Sequence, residues 1–298
     1  VERALESNEI DAAIISSPNA SHSEQAMACI RKGVPALVEK PMTDTLRTAR
    51  DLAFLSKAEG VPILVGHHRT YSPLLESAEQ FLRSPEFGRP VALQGTALFY
   101  KPADYFAAGP WRTTRGGGPI LINLIHEIGL MRFFFGEITS VSAEASNKIR
   151  GFEVEDSVAI ILRFENGALG TFLLSDTAAS NKSWELTSGE NSNYPHYPHD
   201  DCYHFAGTNG SLDFPTMKVR HYRSGAVPSW GTAFEVGEIS FERADPLQRQ
   251  LNHFVDVVRA KAEPRVSALD GYRNMLVVQA INEAISNHCS VRVVDSMH

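Results

Sequence analysis

Lys40 stands between Glu39 and Pro41 directly after the apolar run PALV, so its ammonium has a carboxylate on one side and a turn-fixing ring on the other. A lysine so placed can hydrogen-bond a substrate hydroxyl and, when partly desolvated, lower the pKa of a neighbour. An ion pair at a surface loop is the plainer role for the same triplet. His126 lies in the strongly apolar segment ILINLIHEIGLMRFFFG, with Asn123 three residues before it and therefore on the same helical face. Two polar groups in such a helix are costly to bury without partners, which favours an acid or base facing a cleft over a core histidine. Asn19, after Ser17-Pro18, is placed to begin a helix, where it can cap the first turn or face phosphate and ribose oxygens. Trp111-Arg112 sits in a loop rich in Gly and Pro, where an indole beside a guanidinium suits stacking and anion contact, or packing beneath the loop.

The segment HYPHDDCYH offers His196, His199, Cys202 and His204, which raises the question of zinc. Its spacing matches no finger or protease pattern, and it straddles a loop and a strand that would aim the ligands in different directions. No metal is assigned.

The elements that position these residues are readable from periodicity. Three short apolar runs, AAIIS, PALV and PILV, end in Ser17-Pro18-Asn19, Glu39-Lys40-Pro41 and Gly66-His67-His68-Arg69. Helical patterns over Ser21 to Lys32 and Thr43 to Glu59 separate them, so the order predicts a parallel sheet with right-handed crossovers. Ligands of such sheets bind outside the carboxyl ends of the strands, which brings all three polar tips to one crevice. From Pro90 onward the chain is rich in β-type segments, including PVALQGTALFY, ITSVSAEA, SVAIILRF, ALGTFLLS, SWELTS and YHFAGT. Asn166-Gly167 and Asn209-Gly210 mark tight hairpins, so this part reads as a large, mostly antiparallel sheet.

One helix of about four turns is predicted from Pro119 to the residue before Gly136, apolar nearly all round and hence buried between layers. Asp245-Pro246 opens another, with Leu247, Leu251, Phe254, Val255 and Val258 assigned to one face. Ser267 with Asp270 resembles a capping pair for a last helix reaching Asn287.

With 298 residues, the chain is large enough for two domains. Its net charge of −7 is diffuse, without the basic footprint of a nucleic-acid binder. No apolar run approaches the roughly 20 residues of a membrane span, and no export signal is evident. Cys29, Cys202 and Cys289 are odd in number and widely spaced, as expected of reduced thiols in a cytoplasmic protein. A dinucleotide fold normally opens with a strand and a GxGxxG turn, whereas this chain starts with VERALES, which reads as part of a helix. The expectation is that the first mononucleotide half is absent from this chain. The alternative is a naturally short α/β protein with another ligand.

IDAAIISSPNASH, the EKP triplet at Glu39 to Pro41, VGHHRTYSP, the Gly116 to Gly118 run with His126, and GTNGSL together resemble the Gfo/Idh/MocA family of NAD(P)-dependent oxidoreductases. The resemblance implies a Rossmann portion over residues 1–68, followed over 69–298 by an α/β domain with a large open sheet used for homodimer or homotetramer contacts. It implies that Lys40 binds the substrate hydroxyl and the nicotinamide ribose region, with His126 as general acid/base. Ser17, Pro18, Asn19, His22, Glu39 and His68 would line NAD or NADP, with Trp111 and Arg112 reaching across toward the nicotinamide end. Arg69 and Asn123 would join Lys40 and His126 against a sugar-like substrate.

Two positions depart from the family pattern. Ile122 stands where many members have an aspartate four residues before the histidine, and Gly129 stands where an acid is common. The expected reaction is hydride transfer at a secondary hydroxyl of a sugar, polyol or hydroxy acid. Nicotinamide-assisted elimination or glycoside cleavage, and a non-catalytic sugar-binding or assembly protein, are the alternatives.

Overall fold

The computed structural model describes residues 2–6 and 9–295. A short helix α1 (Glu2–Leu5) matches most of the helical reading of VERALES, whose Val1 and Ser7 lie outside the described residues. The first layer then runs β1 (Ala13–Ile15), α2 (Asn19–Arg31), β2 (Ala36–Glu39), α3 (Leu46–Glu59), β3 (Ile63–Gly66) and α4 (Pro73–Leu82). β1, β2 and β3 pair in parallel with Ile15, Val38 and Val65 abreast, so the tips that follow them open at one edge. Thr45 caps α3 by accepting the Thr48 N–H, and Gly60 in the left-handed region stops it.

The second part holds β4 (Pro90–Leu98), α5 (Ala103–Ala107), α6 (Ile125–Phe135), β5 (Ile138–Ser146), β6 (Ser157–Phe164), β7 (Leu169–Ser175), α7 (Trp184–Thr187), β8 (Tyr203–Gly207), β9 (Gly210–Phe214), β10 (Lys218–His221), β11 (Glu235–Glu238), α8 (Pro246–Val258), α9 (Ala268–Asn287) and β12 (Val291–Arg292). Nine strands make one sheet in the order β11-β10-β9-β8-β4-β7-β6-β5-β12. Every pair is antiparallel except β4 with β7. Alternation along β6 and β7 sends Val158, Ile160, Leu162, Phe172 and Leu174 inward. Phe134 and Phe135 of α6 meet that face, with ring centroids 5.0 Å from Phe205 and 5.4 Å from Phe164. The C-terminal α9 packs on α3, on α6 and on β5, which ties the two parts together. Its Ser267–Asp270 capping box is present as read from the sequence.

Several expectations are corrected. The helix read from Pro119 to Phe135 is present without a break, but its stretch Ile120–Leu124 is π-helical and only then does it continue as α6. SWELTS contains the short helix α7 rather than a strand. Asn166-Gly167 turns the β6–β7 hairpin with Gly167 at φ 88°, but Gly210 is already the first residue of β9 and has no positive φ. In α8 the buried side is Gln250, Phe254 and Val257, whereas Leu247, Leu251 and Val255 are exposed. Phe254 is drawn inward because it fills the space over Leu37 and Leu64 on the open face of the small sheet.

Candidate active site

Lys40 leaves the tip of β2 and donates from Nζ to the Ile122 carbonyl at 3.1 Å. Ile122 lies in the π-helical turn, where shifted ladder bonding frees main-chain groups for other partners. Glu39 folds back over the same tip, because Gly66 beside it has no side chain; a Cβ there would lie 3.0 Å from the Glu39 carboxylate. Burial pulls the Lys40 pKa down to about 8, helped by the Arg69 guanidinium and opposed by Glu39 and Glu185.

Four residues beyond Ile122, His126 is buried, with Nδ1 sealed and without a partner. Its ring meets His67 and His68 edge-on, at centroid distances of 5.4 and 5.5 Å. Desolvation holds all three imidazoles neutral, with Lys40 and Arg69 adding to the effect: His67 falls to about 3, His68 to about 4, and His126 well below the ordinary histidine value. His67 Nε2 lies 3.3 Å from the Asn274 amide nitrogen, and Arg132 donates to Asn274 Oδ1 at 2.6 Å. The guanidinium fixes which way the amide points, so Nδ2 donates and His67 Nε2 accepts. Gly129 lies against this pair, where a Cβ would make ordinary contacts 3.4 Å from Asn274 Nδ2 and 3.7 Å from His67 Nδ1.

Asn123 accepts from Lys101 Nζ at 2.7 Å. Lys101 comes from the end of β4 and is buried against the Phe99 and Tyr105 rings, with Asp176 at 3.6 Å. Arg150 holds that aspartate from the other side at 2.8 Å. Lys101 and Asn274 were not singled out in the sequence. The signal for Lys101 was present, because FYKP at the end of β4 repeats the Lys-Pro ending of VEKP at the end of β2.

The remaining candidates are placed as follows. His22 is buried, its Nδ1 2.9 Å from the Pro41 carbonyl and its Nε2 2.7 Å from the Ser17 carbonyl, so the ring ties the first strand tip to the second. Ser17 donates to Gln25 at 2.8 Å. Asn19 is the first residue of α2 and makes no cap; Pro18 occupies the N-cap position, which corrects the capping expectation. Arg69 is also corrected as a free substrate contact. It is buried, with one nitrogen on Glu127 at 2.6 Å and another on Glu185 at 2.5 Å, and Tyr203 donates to the far oxygen of Glu127. The guanidinium therefore organises the floor beneath Lys40 and His68. Trp111 is half-exposed, while Arg112 lies over the Tyr105 ring at 4.0 Å and donates to the Tyr105 carbonyl. Gly117 backs onto this pair, since a Cβ there would lie 2.5 Å from the Trp111 carbonyl oxygen.

The histidine-rich segment disperses. His196 contacts the Thr187 carbonyl, Cys202 is buried against the Thr187 hydroxyl, and His204 pairs with Asp213. Among the described residues no helix is long and apolar enough to cross a membrane.

Comparisons with known proteins agree with this geometry. The oxidoreductase family with an NAD-binding Rossmann fold matches residues 1–67, and the GFO/IDH/MocA C-terminal domain matches residues 75–213. The chain is 28% identical over 299 residues to scyllo-inositol 2-dehydrogenase (NAD(+)) of Bacillus subtilis, covering 97% of this chain and 79% of that protein. It is 30% identical over 179 residues to 1,5-anhydro-D-fructose reductase of Ensifer adhaerens, covering 58% of this chain and 52% of that one. Its fold matches levoglucosan dehydrogenase in complex with NADH and levoglucosan, with a TM-score of 0.78 at 20% identity over 98% of this chain and 82% of that one. With both of its parts matched by models of the same family, the chain belongs to the Gfo/Idh/MocA oxidoreductases.

Proposed function

We propose that the chain transfers hydride between NAD(P) and a secondary carbinol of a sugar, polyol or related hydroxy acid. The observation that carries this reading is the approach of the Lys40 ammonium to the Ile122 carbonyl, one turn ahead of buried His126. The cofactor fits the residues present: Ser17, Glu39 and His68 stand at the carboxyl ends of three parallel strands, and Gly66 leaves room for the Glu39 side chain at the third tip. Pro18, Asn19 and His22 extend that edge, and Trp111 with Arg112 are assigned to the nicotinamide end. Bound NAD(P) supplies the acceptor for the hydride and its electron pair.

As the carbinol C–H bond breaks and the C=O bond forms, the hydroxyl proton passes to His126. Nδ1 is sealed, which assigns the transfer to Nε2, and burial keeps the ring neutral, the form that can accept, before the proton arrives. Lys40, as ammonium, stabilises the charge developing on the substrate oxygen. In the reverse direction the same groups return the proton to the carbonyl oxygen.

His126→Ala in the NAD(P)-loaded protein should lower kcat by at least about 10²-fold while cofactor binding, followed by titration calorimetry, persists. A loss within about threefold would sink the assignment. The outer sheet face supports assembly as a homodimer or homotetramer, because Ile161, Leu169 and Leu173 are exposed there at 58, 48 and 43%. Ile161→Glu should then reduce the mass measured by sedimentation.

A further inference from the structure

Asn123 and Lys101 carry information about the substrate. An ammonium has hydrogens and no acceptor, so the Asn123 atom 2.7 Å from Lys101 Nζ must be the amide oxygen. The amide nitrogen is thereby turned away from Lys101, on the turn that Lys40 reaches through Ile122, and no hydrogen bond from it is found among the described residues. Lys40 Nζ points into the same region with one hydrogen given to Ile122 and the others free. Most of the carboxylates nearby are already engaged, with Glu39 lying against Gly66 and accepting from the Lys40 main-chain N–H at 3.3 Å. Glu127 is taken by Arg69 and Tyr203, Asp176 by Arg150 and Lys101, and the unpartnered Glu185 Oε2 is sealed from solvent. Both sides of the site therefore present donors, with two ammonium charges behind them.

We propose that Lys101 and Asn123 form a substrate-orienting pair that selects a carboxylate-bearing sugar or hydroxy acid over its neutral parent. This rests on the hydride-transfer reading above and adds the substrate class. A carboxylate offers only acceptors when ionised and answers the Asn123 amide hydrogens at one oxygen. A neutral polyol hydroxyl must also dispose of its own hydrogen, for which the Asn123 amide nitrogen and the Lys40 ammonium offer no acceptor. Asn123 stands beside the position of Ile122, where an acid would make the opposite demand on substrate.

The test uses the NAD(P)-loaded protein and two matched pairs, D-glucuronate with D-glucose and D-gluconate with D-glucitol. The acid of each pair should show a kcat/KM at least about tenfold above its parent. Asn123→Asp keeps the shape, keeps a partner for Lys101 and puts a carboxylate where the amide donor was, so it should remove or invert that preference. Neutral parents preferred by the wild-type protein, or an acid-to-neutral ratio within threefold of wild type in Asn123→Asp, would overturn the proposal.

A binding measurement separates this from failure of the redox reading. If neither pair yields reduced nicotinamide, titration calorimetry with D-gluconate still decides. Binding weakened at least tenfold in Asn123→Asp, and weakened also in Lys101→Gln, supports the pair. No binding to wild type, or equal binding to all three proteins, refutes it.

Discussion

The two walls of the cleft each bury a lysine that follows an apolar strand and precedes a proline, and the two lysines are held differently. Lys40 meets a neutral main-chain carbonyl, and burial drags it to about 8. Lys101 is pulled down by burial too, but Asp176 opposes the pull and Asn123 accepts a hydrogen bond from it at 2.7 Å. A lysine buried against a dipole becomes a group that titrates and works near neutral pH, whereas one buried against a carboxylate remains a fixed charge that orients its neighbours. Lys40→Met should accordingly cost kcat at least about 10²-fold, the scale of lost electrostatic help at a developing alkoxide. Lys101→Gln should act mainly on KM for the preferred substrate. Steady-state kinetics on the two variants would break the contrast if their kcat losses were equal.

The contrast sharpens with pH. Catalysis needs Lys40 charged, so kcat/KM should fall as pH rises through about 8. Glu39 lifts the Lys40 pKa, and Glu39→Gln should move this limb to lower pH, whereas Lys101→Gln should not lower it. Lys101 is itself among the charges that depress Lys40, so its removal can only raise the limb.

Much of this arrangement was legible before any coordinates, for reasons that differ by region. The runs PALV and PILV are continuously apolar because β2 and β3 are buried on both faces, and the polar ends of all three parallel strands fall at one edge. Meeting of the Lys40 and His126 elements followed from that edge together with the polar interruption of an apolar helix. What was hidden depended on pairings across long sequence separations. Nothing local marks Arg69 as paired with Glu127 and Glu185, which are 58 and 116 residues away. The π-turn at Ile120–Leu124 was hidden too, because apolar periodicity over one turn does not distinguish it from an α-helix. His67 and His68 look alike in sequence, yet the first turns inward to Asn274 while the second keeps some exposure.

The histidines give a further, smaller test on the Lys40 side alone. His67 and His68 are near 3 and 4 in the folded protein against about 6.5 in an unfolded chain. Below pH 6.5 the unfolded chain takes up protons that the native state refuses, so stability should decline as pH falls from about 6.5 toward 4. Urea midpoints at pH 7.5 and 5 measure this, and His68→Asn should reduce the difference. Lys101→Gln should leave the difference intact, since Lys101 is not among the charges acting on His67 or His68.

Gly129 supplies the gentlest probe of the same wall. Its φ is not positive, so alanine can adopt the helical backbone there, and the added Cβ would make ordinary contacts with Asn274 and His67 at 3.4 and 3.7 Å. Replacing a mid-helix glycine by alanine reduces the freedom lost on folding and should raise stability by up to about 1 kcal/mol. Activity should stay within about threefold if His67 and Asn274 keep their spacing. A drop beyond tenfold with stability unchanged would mean that His126 depends on the exact seat of His67, and that Lys40's wall is tuned as finely from behind as Lys101's is by Asp176.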